Sequence, residues 1–87
     1  MGFDEDTIQK VWEKGAADFR YSAAAYRKDA CGAWMQRNEH GNRQSKMGWE
    51  IDHIDPNGRD SLSNLRPLQW ENNNAKSDGR LKCVVEN

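Results

Sequence analysis

Eighty-seven residues leave room for one domain with a small core. Only 36% of them are apolar and 31% are charged, so the four Trp must supply much of what that core buries. No apolar run approaches the ~20 residues of a helical membrane span, and a net charge of −1 rules out any argument for nucleic acid from overall charge.

The opening Met-Gly-Phe-Asp-Glu-Asp lacks the basic and apolar regions of a secretory signal, and a cytoplasmic location is expected. A first helix follows. Asp4 or Asp6 can cap it, Ile8, Val11 and Trp12 fall on one face, and Gly15 can end it. Residues 16–30 read as an irregular connector, with Phe19, Tyr21 and Tyr26 available for packing. The run Cys31-Gly-Ala-Trp-Met35 reads as a short strand and Met47 to Ile54 as a second. The turn-forming Asn38 to Arg43 between them predicts an antiparallel hairpin with a long tip.

Charge is unevenly distributed. Residues 1–19 carry five acids against Lys10 and Lys14, whereas Arg20, Arg27, Lys28, Arg37, Arg43 and Lys46 face only Asp29 and Glu39 in residues 20–46. A basic middle suits either phosphate contacts or a solvated face. Cys31 and Cys83 are far apart and form no Cys-x-x-Cys pair, so two reduced, partly buried thiols are expected. Nothing in the spacing of Cys31, His40, His53 and Cys83 recommends a structural zinc site.

Asp55-Pro-Asn-Gly-Arg-Asp60 is a turn: Pro56 restricts its backbone and Asn57-Gly58 tolerates positive φ. Leu62, Leu65 and Leu68 surround a brief further strand. A short helix is expected from Gln69 to Asp78, closed by Gly79. Its three consecutive Asn are poor helix formers, so packing by Trp70 has to hold it. Residues 81–87 form a last strand or a frayed tail.

The chemistry concentrates in Trp49 to Asp78. Phosphodiester hydrolysis needs a proton acceptor for water and positive charge at the phosphate, and an imidazole, with an ordinary pKa of roughly 6.5, is the usual acceptor. His53 supplies one. The carboxylate of Asp52 and an amide carbonyl on the following helix are hard oxygen donors of the kind Mg²⁺ takes. Adjacent residues of a strand point to opposite faces, however. Asp52 and His53 can serve one site only where the strand ends or bends, and Asp55-Pro56 offers such an ending. On the helix, Trp70, Asn73 and Ser77 share a face, with Asn74 beside it and Lys76 in reach.

The order Asp52-His53-Ile54, then Asn64-Leu65, then Asn73-Asn74-Ala75-Lys76 resembles the HNH endonuclease family. The likeness is close over about thirty residues. Tyr26-Arg-Lys-Asp and Cys31-Gly-Ala-Trp are similar to the lead-in of small stand-alone bacterial HNH proteins. The resemblance implies an α+β chain: a small ββα-metal (His-Me finger) domain with an N-terminal helix, acting as a metal-dependent DNA endonuclease. It implies that His53 is the general base and that Asn64 holds the loop and so orients His53. Asp52 and Asn73 would bind the metal, and Lys76 would contact phosphate or steady the site. The final motif residue is Asn rather than His, which makes this an HNN variant and favours Mg²⁺, with Mn²⁺ next, over Zn²⁺ or Ni²⁺. The paired zinc-binding cysteines of many members are missing; Gln69 and Asn72 stand in their region. Arg37, Arg43 and Arg59 are candidate DNA-backbone contacts. Base readout would need a homodimer or an additional specificity partner. The rival readings are a DNA-binding module with little catalysis and a small zinc-stabilised interaction domain.

Overall fold

The computed structural model describes residues 2–87 and is an α+β arrangement of two helices and two small antiparallel sheets. Helix α1 spans Glu5–Trp12. Asp4 caps it, its carboxylate accepting from the Thr7 backbone N–H at 2.8 Å, and Glu5 and Asp6 favour the positive end of the helix dipole. Ile8, Val11 and Trp12 are the buried residues, as their spacing predicts. The helix ends at Trp12, before Gly15, whose N–H closes back on the Trp12 carbonyl.

Strands β1 (Tyr26–Lys28) and β2 (Trp34–Gln36) form the first sheet, with Arg27 opposite Met35. Strands β3 (Trp49–His53) and β4 (Leu65–Gln69) form the second, with Asp52 opposite Arg66 and His53 opposite Leu65. Helix α2 (Trp70–Ala75) follows β4 directly.

The predicted pairing of the Cys31–Met35 strand with the Met47–Ile54 strand is therefore wrong. The first pairs backward, with a strand inside the stretch read as an irregular connector. Among the described residues its backbone link toward β3 is the Gln36 N–H to the Met47 carbonyl. The loop between the two runs folds tightly back on itself at Gly48, where an added Cβ would stand 1.8 Å from the Asn42 carbonyl oxygen.

Ile8, Val11, Trp12, Met35, Trp49 and Leu65 make the core, with Phe3 and Ile51 packed against it. The Trp12 and Trp49 rings lie 5.1 Å apart at 46°, and each indole N–H finds a carbonyl, on Ala23 and Arg37 respectively. An aromatic side chain that buries about 150–250 Å² contributes about 4–6 kcal/mol of transfer free energy. Two such residues explain how so polar a chain holds a core.

His40 is half-buried, its ring 4.7 Å from Trp49. Burial pulls its pKa below the ordinary histidine value and the Arg37 charge adds to this, while Glu5 and Glu50 oppose. The unfolded chain takes up that proton near roughly pH 6.5, and the folded chain only at lower pH. Stability is therefore lost as pH falls below that value, levelling once folded His40 is charged. Melting curves at pH 7.5 and 5.5 should show a larger loss for wild type than for His40→Gln. Equal losses would remove His40 from the acid sensitivity.

The cysteine expectation is also corrected. Cys31 and Cys83 form a disulfide across Cα atoms 5.4 Å apart and 52 residues apart in the chain. Neither is a reduced thiol, so neither can donate a thiolate to zinc. The bridge lies beside a buried polar hub. Asp29 accepts from the Cys31, Ala33 and Gln69 N–H groups and from the Asn72 side chain. Asn72 in turn accepts from the Val84 and Val85 N–H groups and donates to the Val85 carbonyl. Residues 81–87 are thus a pinned tail rather than a strand.

Candidate functional site

Alternation along β3 decides where each candidate points. Trp49, Ile51 and His53 share the face toward α1, and Glu50 and Asp52 share the face toward α2. The contacts agree: Ile51 packs on the core, the His53 ring centroid lies 6.2 Å from that of Phe3, and Asp52 meets Lys76. β3 ends at His53, as a shared site requires. The ending does not turn the two side chains together, and Asp52 and His53 remain on opposite faces.

His53 is partly exposed, and its Nε2 lies 2.5 Å from a carboxylate oxygen of Asp60. An ionised carboxylate can only accept, so in a neutral ring paired this way Nε2 is the donor and Nδ1 the acceptor. Asp60 was not singled out in the sequence. Its signal was an acid closing the turn that follows Asp-His.

Asn64 ties together the loop that follows His53. Its Oδ1 accepts from the Asp55 N–H at 2.9 Å, and its Nδ2 donates to the Asp55 and Arg59 carbonyls at 3.0 and 2.9 Å. The Asn64 carbonyl accepts from the Ile54 N–H, one residue beyond His53. Gly58 is held so close that an added Cβ would lie 2.5 Å from Nδ2. Asn64→Ala removes three partly exposed hydrogen bonds and should cost about 1–2 kcal/mol, read from the urea midpoint. Retention of the wild-type midpoint would show that the loop does not depend on this side chain.

Asp52 is almost fully buried. Arg66 Nε lies 2.7 Å from its Oδ2 and Lys76 Nζ 2.5 Å from its Oδ1; Lys76 also donates to the His53 carbonyl at 2.8 Å. Sequence reasoning missed Arg66, which stands directly across the ladder from Asp52. Asn73 does not reach Asp52; its Nδ2 donates to Glu50 Oε1 at 2.9 Å. Arg43 grips the same Glu50 with both Nε and Nη2. That bond holds the Glu50 carboxyl below the usual range, against partial burial and with help from Asn73.

These donors do not fit a divalent ion as they stand. Hard oxygens are present, but both oxygens of Asp52 already hold cations, and the amide of Asn73 is turned to Glu50. A unit charge 4 Å from another interacts by about 4 kcal/mol at an effective dielectric of ~20. A doubly charged ion beside Lys76 would be repelled by about twice that. Among the described residues no group of three or more His, Cys, Asp or Glu converges as a metal cage.

The basic middle is largely engaged internally. Arg20 is bonded to Asp18, Arg27 to backbone carbonyls of Glu13, Gly15 and Ala23, and Arg37 to Gln9. Of the three candidate DNA contacts, Arg37 and Arg43 are thus partnered and lie over the Trp49 and Trp70 rings. Arg59 is exposed in the loop that Asn64 closes. Trp70 is a half-buried flank bonded to the Ser45 carbonyl, not the anchor of α2. That role falls to fully buried Gln69 and Asn72. Gln69 caps α2 through its own side chain, and the helix stops at Ala75, short of Asp78. Comparison with family models, with curated proteins and with solved structures finds no match to this chain.

Proposed function

We propose that the protein is a DNA endonuclease of the HNH type, hydrolysing phosphodiester bonds with His53 as the base. The observation that carries this reading is the placement of His53: at a strand end, partly exposed, with Asp60 on Nε2 and no hydrogen-bond partner on Nδ1 among the described residues. The succession β3, Asn64-closed loop, β4 and α2 supports it, since it follows the order of a ββα-metal element.

In the proposed reaction Nδ1 of His53 takes a proton from water. The oxygen attacks phosphorus in line, and the bond to the 3′ oxygen breaks. That oxygen takes a proton from solvent, leaving a 5′-phosphate and a 3′-hydroxyl. Asp60 accepts from Nε2–H and favours the imidazolium as it forms. Asn64 is a positioning residue, fixing the chain that leaves His53. Arg59, exposed in the same loop, is the residue that would meet the DNA backbone. The resemblance calls for a Mg²⁺-type ion at Asp52 and Asn73; because the donors do not fit it here, no step is assigned to it.

A binding module with little catalysis is the second reading, favoured by the closed ion cluster on Asp52. Supercoiled plasmid incubated with the full chain and Mg²⁺ should convert to open circle, and chelator should stop the conversion. DNA retarded on a gel but never nicked, with Mg²⁺ or Mn²⁺, would give the second reading precedence.

A further inference from the structure

Two cations sit on Asp52, and they are held differently. Arg66 lies within the ladder as the cross-strand partner of Asp52. Lys76 lies just past the last turn of α2, with extended backbone at φ −53 and ψ 139 and a long 3.3 Å bond from its N–H to the Asn73 carbonyl. The chain then turns at Asp78 and Gly79, both at positive φ. The Lys76 ammonium can therefore leave Asp52 without unwinding α2.

What Lys76 touches is equally telling. Its ammonium lies between Asp52 Oδ1 and the His53 carbonyl oxygen, two hard oxygens of the kind a Mg²⁺-type ion uses. The side chain of Asn73, three residues earlier, has only its Nδ2 engaged among the described residues, which leaves its Oδ1 without a partner.

We propose that the Lys76 ammonium is a built-in occupant of the cation position at Asp52, excluding a divalent ion until an anion of the DNA backbone draws it away. The identity of that anion rests on the nuclease reading; the exclusion does not. A phosphate at the strand end gives Lys76 a second acceptor and frees Oδ1, while Arg66 keeps Asp52 oriented. Ion and DNA then bind with mutual positive coupling, each favouring the state the other needs.

Mn²⁺ is the probe, followed by its electron paramagnetic resonance signal on the full chain without DNA. Lys76→Met should bind one Mn²⁺ at least about tenfold more tightly than wild type, within the usual range of coupling factors. The double variant Asp52→Asn/Lys76→Met should lose that gain. Lys76→Gln, which keeps a neutral donor, should fall between, and carries the test if the Met variant fails to fold. In a His53→Ala background, which cannot cleave, duplex DNA should raise Mn²⁺ affinity when Lys76 is present and much less when it is Met.

Equal Mn²⁺ affinity in wild type and both Lys76 variants overturns the proposal, as does a gain that survives Asp52→Asn. Plasmid nicking separates the two claims. Nicking by wild type with no Mn²⁺ gain in the variants sinks the lysine occupant and leaves the nuclease. A gain without nicking sinks the nuclease and leaves the occupant.

Discussion

His53→Ala is expected to lower plasmid nicking by roughly 10²- to 10⁴-fold, the usual contribution of a positioned general base. The loss should appear in turnover rather than DNA affinity, because the imidazole acts on water and not on the duplex. A loss of this size can be told apart from unfolding. The His53 ring lies outside the apolar core, flanking Phe3, and is partly exposed, so its removal should shift stability by only about 0.5–1 kcal/mol. Asp60→Asn offers a sharper comparison. An amide on Nε2 can donate as well as accept, so the tautomer is no longer fixed. The expected loss is smaller, since Asp60 is exposed and its link to the ring is screened by water. Undiminished nicking by His53→Ala, with a melting temperature near wild type, would end the catalytic reading of this residue.

That reading depends on how the strand end is built, and the sequence showed it only in part. Helix α1 was legible because three large apolar residues repeat at helical spacing next to a capping acid. The β3–loop–β4–α2 order was legible because a proline- and glycine-bearing turn separates two apolar runs. Asn64 is singled out by the resemblance alone; its three hydrogen bonds within the loop come from the structure.

The failures have physical causes too. β1 and β2 are three residues each, too short for alternation to show, so the nearer of two partners was overlooked. Three consecutive Asn cannot be ranked by type. The resemblance singles out Asn73 by its spacing from Lys76, but only the structure shows Asn72 buried on Asp29 and the tail and Asn73 turned toward Glu50. The cations on Asp52 come from β4 and from beyond α2, one of them set by a register that the sequence does not print. The disulfide was invisible for the same reason: its partners are 52 residues apart, and only the packing of the tail brings them together.

The second large effect should come from that disulfide. Replacing both cysteines, Cys31→Ser with Cys83→Ser, releases a loop of some fifty residues in the unfolded chain. The loop-closure relation puts the loss at about 4 kcal/mol, with about 2–4 kcal/mol typical of measured bridges. For a domain of this length each kcal/mol moves the melting temperature by roughly 4–8 °C, so oxidised wild type and the double variant should melt far apart. A reductant should bring wild type down to the variant and leave the variant unmoved. Equal melting temperatures, or two free thiols in native protein under air, would remove the bridge from the stability of the fold.

The consequence for the site follows from Asn72. Its bonds to residues 84–85 would be what remains of the tail's attachment, and its bond to Asp29 keeps the start of α2 in place. Gln69 caps the same helix independently of the tail. Reduction should therefore cost stability well before it costs the geometry at Asn73 and Lys76, and nicking at 20 °C should outlast much of the thermal loss. Such bridges persist in oxidising compartments and are rare where glutathione keeps thiols reduced. In a reducing compartment the chain would work as the less stable form, so nicking should be measured on oxidised and reduced wild type side by side.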